Sequence, residues 1–147
     1  MIQIGNNDAW FWVATEPIHR QILGVHISRH RNTLVAESFL KSLIKLYGRH
    51  AVYSDGRSSY PEACASLGLK HIIYSSFEKS IIERTIQYVK DRTEDFDDYY
   101  PCRKCVVDCN LIHVYQWIIL FTFLYNLSKG QSNQNILKFL IKDGKVL

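Results

Sequence analysis

Residues 51–61, AVYSDGRSSYP, decide how this chain is read. The apolar start Ala51-Val52-Tyr53 runs into Ser54 and then into a carboxylate, Asp55, followed at once by Gly56. A short strand ending at an Asp-Gly pair has a local explanation, because both residues favour turns. It also has a chemical one. Ligands of α/β sheets sit at the carboxyl ends of strands, and Asp55 there is placed to hold a divalent cation. The residues on either side bear on the choice.

Upstream, Met1–Gly5 reads as the tail of a strand and Gly5-Asn6-Asn7-Asp8 as a turn. WFWVAT (Trp10–Thr15) and QILGVHIS (Gln21–Ser28) read as two further strands with hairpin-length links, an antiparallel meander. Asn32-Thr33 then offers an N-cap to an amphipathic helix carrying Ala36, Phe39, Leu40, Leu43, Ile44 and Tyr47, closed by Gly48. Downstream of the opening stretch come a short helix over 60–67, closed by Gly68, and a strand over 70–74. A helix from about Lys79 to Arg92, the acidic run Glu94–Asp98 and an apolar helix over 114–127 complete the pattern. Three antiparallel strands feeding alternate helices and parallel strands predict an α/β fold, a mixed sheet covered by helices.

The 147 residues suit one domain, and 47% hydrophobic content supplies a core, which excludes a disordered chain. Net charge is +4, unevenly spread: residues 51–100 hold six basic against nine acidic side chains, while both flanks are net positive. That balance admits nucleic acid as a partner without requiring it. The N-terminus lacks the charged start and apolar centre of a secretory leader. The apolar run Val114–Leu127 has 14 residues, short of the roughly 20 that span a bilayer. We expect a soluble, cytoplasmic chain with no membrane partner, and read 114–127 as a buried core helix.

A magnesium site needs one or two protein carboxylates besides water and phosphate oxygens. The second candidate is Glu83 in KSIIERTIQYVKDR, where Ile82, Ile86 and Val89 mark the expected core stripe. Glu83 and Lys90, seven residues apart, fall about 20° apart around a helix. A carboxylate and a cation on one strip suit a metal and a phosphodiester together. The local alternative is a capping box, Ser80-x-x-Glu83, in which the glutamate only satisfies a backbone N–H. Lys90 taken alone reads as a solvated lysine.

VYSDGRSSYPEA followed by EKSIIERTIQYVKDRT resembles the catalytic core of DDE-type insertion-sequence transposases, whose fold is ribonuclease-H-like. The resemblance extends through WFWVATEPIHRQILGVHISRHRNTLVAESFLKSLIKLYG, DDYYPCRKC and HVYQWIILFTFLYN, from about Ile2 to Asn126. It implies a ribonuclease-H-like core over 1–127 with a polar linker and tail over 128–147. It also implies Mg²⁺ or Mn²⁺ on Asp55 and Glu83, cleavage and transfer of DNA strands, and Lys90 on DNA. Arg84, beside Glu83, and Arg29 and Arg31, at a strand end, are further candidates for phosphate contacts. The implied partners are double-stranded DNA, as transposon ends and target, and further copies of the chain in a homo-oligomer. The implied setting is the prokaryotic nucleoid. The family's first acid lies on the first strand. MIQIG carries none, so the resemblance implies a chain that begins inside that strand and cleaves weakly or not at all.

Two other readings stand beside it. One is a non-catalytic transposase remnant that binds DNA or the full-length enzyme. The other is a small zinc-stabilised binding protein: Cys102, Cys105, Cys109 and His113 offer four ligands for a structural Zn²⁺, though within 12 residues and without a long central loop. The same spacing on a helix equally suits packing.

Overall fold

The computed structural model describes residues 2–4, 7–92 and 111–130. Its elements, in chain order, are β1 (Ile2–Ile4), β2 (Asn7–Glu16), β3 (Gln21–Ser28), α1 (Thr33–Tyr47), β4 (Val52–Ser54), α2 (Ser59–Ser66), β5 (His71–Ile73), α3 (Ser76–Arg92) and α4 (Leu111–Ser128). This is a mixed α/β arrangement.

The unbroken apolar run of β2 follows from burial on both faces. Ala9, Phe11 and Val13 belong to one cluster, with Val89 of α3 and Val114, Ile118, Ile119 and Tyr125 of α4. The alternate residues Trp10, Trp12 and Ala14 belong to a second, with Ala36, Phe39 and Leu40 of α1 and Ala63 and Cys64 of α2. The period-2 alternation of a strand thus sends the two sets to helices on opposite sides. Burying a side chain such as Phe39 contributes about 2 kcal/mol. In β3, Ile22 and Val25 are three apart yet share the first cluster. The register with β2 shifts between Ala14 and Thr15, and this irregularity restores the phase.

Helix α1 matches its sequence signals closely. The Asn32 side chain accepts the Val35 N–H at 3.0 Å. At the other end Gly48 adopts φ +83°, which an L side chain resists, and returns its N–H to Ile44 O.

Four features differ from the sequence reading. First, the strands form two sheets rather than one: β1-β2-β3, antiparallel, and β4-β5, parallel. Strand β1 covers only Asn7–Ala9 of β2, so among the described residues no strand lies along the outer edge of β2 from Trp10 to Glu16. Second, Asp8 is not in a turn. It lies in β2 opposite Gln3, because two residues between Ile4 and Asn7 are enough for a hairpin link. Third, the buried stripe of α3 is Ile81, Thr85 and Val89, with Ile82 and Ile86 only half-buried. Thr85 tolerates burial because its hydroxyl donates to Ile81 O at 2.9 Å.

Fourth, α4 is buried on one side only. Val114, Ile118, Ile119, Thr122, Tyr125 and Asn126 are covered, whereas Leu120, Leu124 and Leu127 are about half exposed. A helix apolar all round its circumference does not reveal which face meets the protein. The buried Asn126 docks α4 against the sheet. Its Oδ1 accepts the Ile22 N–H at 3.0 Å and its Nδ2 donates to Ile22 O at 2.8 Å. The side-chain amide thereby acts as one residue of an additional strand on β3. No helix among the described residues is long and apolar enough to cross a membrane.

Candidate functional site

The site forms where two strand-to-helix connections meet. The first joins β3 to α1. Trp12 Nε1 donates to Ser28 Oγ at 2.8 Å, and Ser28 Oγ donates to His30 O at 2.7 Å. With Asn32 fixed as the cap of α1, the connection is held at both ends. Arg31 lies inside it. Its guanidinium sits 5.1 Å from the Trp10 ring centroid and 6.0 Å from that of Tyr60, within range of a cation–π attraction. Only 20% of the Arg31 side chain is exposed.

The second connection joins β4 to α2. Ser54 is buried; its hydroxyl lies 2.8 Å from His71 Nε2, and its carbonyl accepts the Tyr74 N–H at 3.1 Å. Both contacts bind the end of β4 to β5 and its exit. Asp55 follows. Its Oδ1 accepts the Arg57 N–H at 3.2 Å, the hydrogen bond of an Asx turn. Gly56 permits that turn with φ +72°, and a Cβ there would stand 3.3 Å from the Ile73 side chain. The other carboxylate oxygen, Oδ2, lies 3.2 Å from Arg57 Nε and 3.6 Å from Arg31 Nη2. The turn reading of Asp55 holds: one oxygen makes the turn, while the other faces two arginine side chains.

The capping explanation of Glu83 does not hold. Helix α3 starts earlier than its sequence suggests, and its cap is Ser75-x-x-Glu78. The Ser75 N–H and hydroxyl both donate to Glu78 Oε2, and Ser75 Oγ accepts the Phe77 N–H. Two S-x-x-E boxes lie within nine residues, and the upstream one starts the helix. Glu83 is left in the helix interior, exposed, with Lys79 Nζ at 3.8 Å. Glu78 is held below the usual carboxylate range by its Ser75 hydrogen bonds.

Tyr74 lies at the exit of β5. Burial raises its phenol above the ordinary value, and Asp55 and Glu83 both raise it further, against the opposing pull of Arg57 and Arg31. Tyr60 is raised in the same way, chiefly by burial, with Asp55 adding and Arg31 opposing.

Arg84 is exposed on α3, one residue beyond Glu83, and Arg29 is exposed just past β3. Lys90 falls on α3, but its side chain lies outside the described residues, as do Cys102, Cys105 and Cys109. His113 falls on α4, with its side chain likewise outside them. Among the described residues no group of three or more His, Cys, Asp or Glu side chains could hold a metal ion. The sequence reading missed Arg57, Tyr60 and Tyr74. The D-G-R order around Asp55 was the only local sign of Arg57; the tyrosines gave none, since only the fold brings them to the site.

No family model matches the chain. It is 28% identical over 130 residues to a protein of Methanocaldococcus jannaschii described as uncharacterized protein MJ0017. The matched region is 88% of this chain and 58% of that protein, so this chain spans little more than half of its relative's length.

Proposed function

We propose that this chain is a ribonuclease-H-like core of the DDE transposase type, one that binds a divalent cation and the phosphodiester backbone of double-stranded DNA. The observation that carries the reading is Asp55 at the carboxyl end of β4, where one carboxylate oxygen makes the turn and the other faces Arg31 and Arg57. The strand and helix order supports it, as does the removal of the capping role from Glu83. The donor set suits Mg²⁺ or Mn²⁺, hard cations that take carboxylate oxygens and leave other positions to phosphate and water. Asp55 Oδ2 and the Glu83 carboxylate would hold the ion. When bound, it supplies charge stabilisation at a phosphodiester and activation of the attacking oxygen.

The protein's own groups do the rest. The Asx turn fixes the direction of Asp55, and Arg31 and Arg57 place positive charge where a strand backbone would run. Arg84, Lys90 and Arg29 extend the contacts along the duplex. We assign these residues binding of metal and DNA.

Mn²⁺ uptake in the presence of a short DNA duplex tests the assignment. The wild-type chain is expected to bind the ion, and Asp55→Ala and Glu83→Gln each to lose about tenfold or more in affinity. Equal uptake by all three proteins overturns it. The zinc reading is tested separately by the metal content of freshly purified protein.

A further inference from the structure

The contacts on Asp55 Oδ2 are not evenly matched: one carboxylate oxygen faces two guanidinium groups. Nor is Arg31 arranged to serve that carboxylate. Its 3.6 Å approach is longer than a hydrogen bond and lacks the forked two-bond geometry of a committed arginine–carboxylate pair. What orients Arg31 is its position beside the rings of Trp10 and Tyr60, in a connection pinned by Ser28 and Asn32. A guanidinium has five N–H donors in a fixed plane, a shape that matches a tetrahedral oxyanion. Arg57 meets the same oxygen at 3.2 Å on an exposed side chain that is able to move.

We infer that Arg31 and Arg57 form a phosphate-binding clamp whose place is taken by Asp55 in the free protein. A phosphodiester oxygen entering between the guanidiniums displaces the Oδ2 contact. Asp55, still held by its Oδ1 turn, then becomes available to a cation. In that scheme DNA and metal assist each other: each removes the partner that the other must displace, so their affinities are coupled. The clamp deepens the reading above and rests on it for the identity of the anion. Its own claim, that Asp55 and phosphate compete for two arginines, needs no metal.

The test is duplex DNA binding by fluorescence anisotropy in EDTA, over a range of salt concentrations. Asp55→Asn keeps the oxygen that accepts the Arg57 N–H and removes the competing charge. It is expected to tighten binding by about fivefold or more. Arg31→Met is expected to weaken binding by about tenfold and to lower the salt dependence by about one counterion. Arg31→Lys, which keeps the charge but not the plane, should fall between them. Circular dichroism confirms that each variant is folded.

Unchanged or weaker binding by Asp55→Asn overturns the clamp, and so does wild-type binding by Arg31→Met. The two proposals fail separately. If the EDTA results appear while Mn²⁺ uptake does not depend on Asp55, the clamp stands and the metal site falls. If Mn²⁺ uptake depends on Asp55 while Arg31→Met binds DNA normally, the reverse holds.

Discussion

Asn126 at the edge of β3 and Asp55 at the end of β4 are polar side chains in opposite surroundings. Asn126 is fully buried, and its amide meets one donor and one acceptor of the Ile22 backbone. That pairing uses the amide inside the fold and leaves an apolar cluster undisturbed around it. Asp55 is about one-third exposed, spends one oxygen on its own turn and holds the other against two arginine side chains. The first arrangement is complete without a ligand. The second is satisfied only loosely, and a group of matching charge can replace its partners. The two side chains are thus separated by how completely the fold itself satisfies them.

Three substitutions test that contrast. Asn126→Ala leaves the buried N–H and C=O of Ile22 without their partner and should cost about 3 kcal/mol in urea unfolding. A loss below about 1 kcal/mol would mean that water replaces the amide and that the contrast is overstated. Gly56→Ala forces a left-handed backbone on a Cβ and presses it towards Ile73. About 1.5 kcal/mol is expected in the same measurement, since the exposed Ile73 side chain can move aside. Asp55→Asn should change stability by no more than about 0.5 kcal/mol, because the turn acceptor survives and the lost ion pairs are partly solvated. A large loss there would place Asp55 with Asn126 as a structural group.

Legibility in the sequence follows the same division. Local signals located α1 from Asn32 to Gly48 and bounded β3 at Gln21 and Ser28, because caps and hairpin links act over a few residues. Where two local signals competed, neither outranked the other. Ser75-x-x-Glu78 and Ser80-x-x-Glu83 satisfy one pattern, and only the packing of Ile81, Thr85 and Val89 favours the earlier start. The stripe itself was misplaced because hydropathy does not anticipate a threonine whose hydroxyl bonds back along the helix. Asp55 and Glu83 were named as candidates from residue type and spacing. Arg31 against Trp10, Tyr60 and Asp55 was not, because that contact joins two connections 24 residues apart and depends on how α1 and α2 pack.

The Asn126 pairing also bears on how the chain is made. Ile22 and Asn126 are separated by 104 residues. At ribosomal speeds, roughly 5 to 20 s pass between the synthesis of one and the other. Through that interval the nascent sheet has water, or a chaperone, where the amide will later sit. Closing so long a loop costs about 4 kcal/mol of chain entropy, which is repaid only as α4 docks. Helix α4 therefore completes the β2–β3 hairpin long after that hairpin has been made, and this contact is expected to form late in folding.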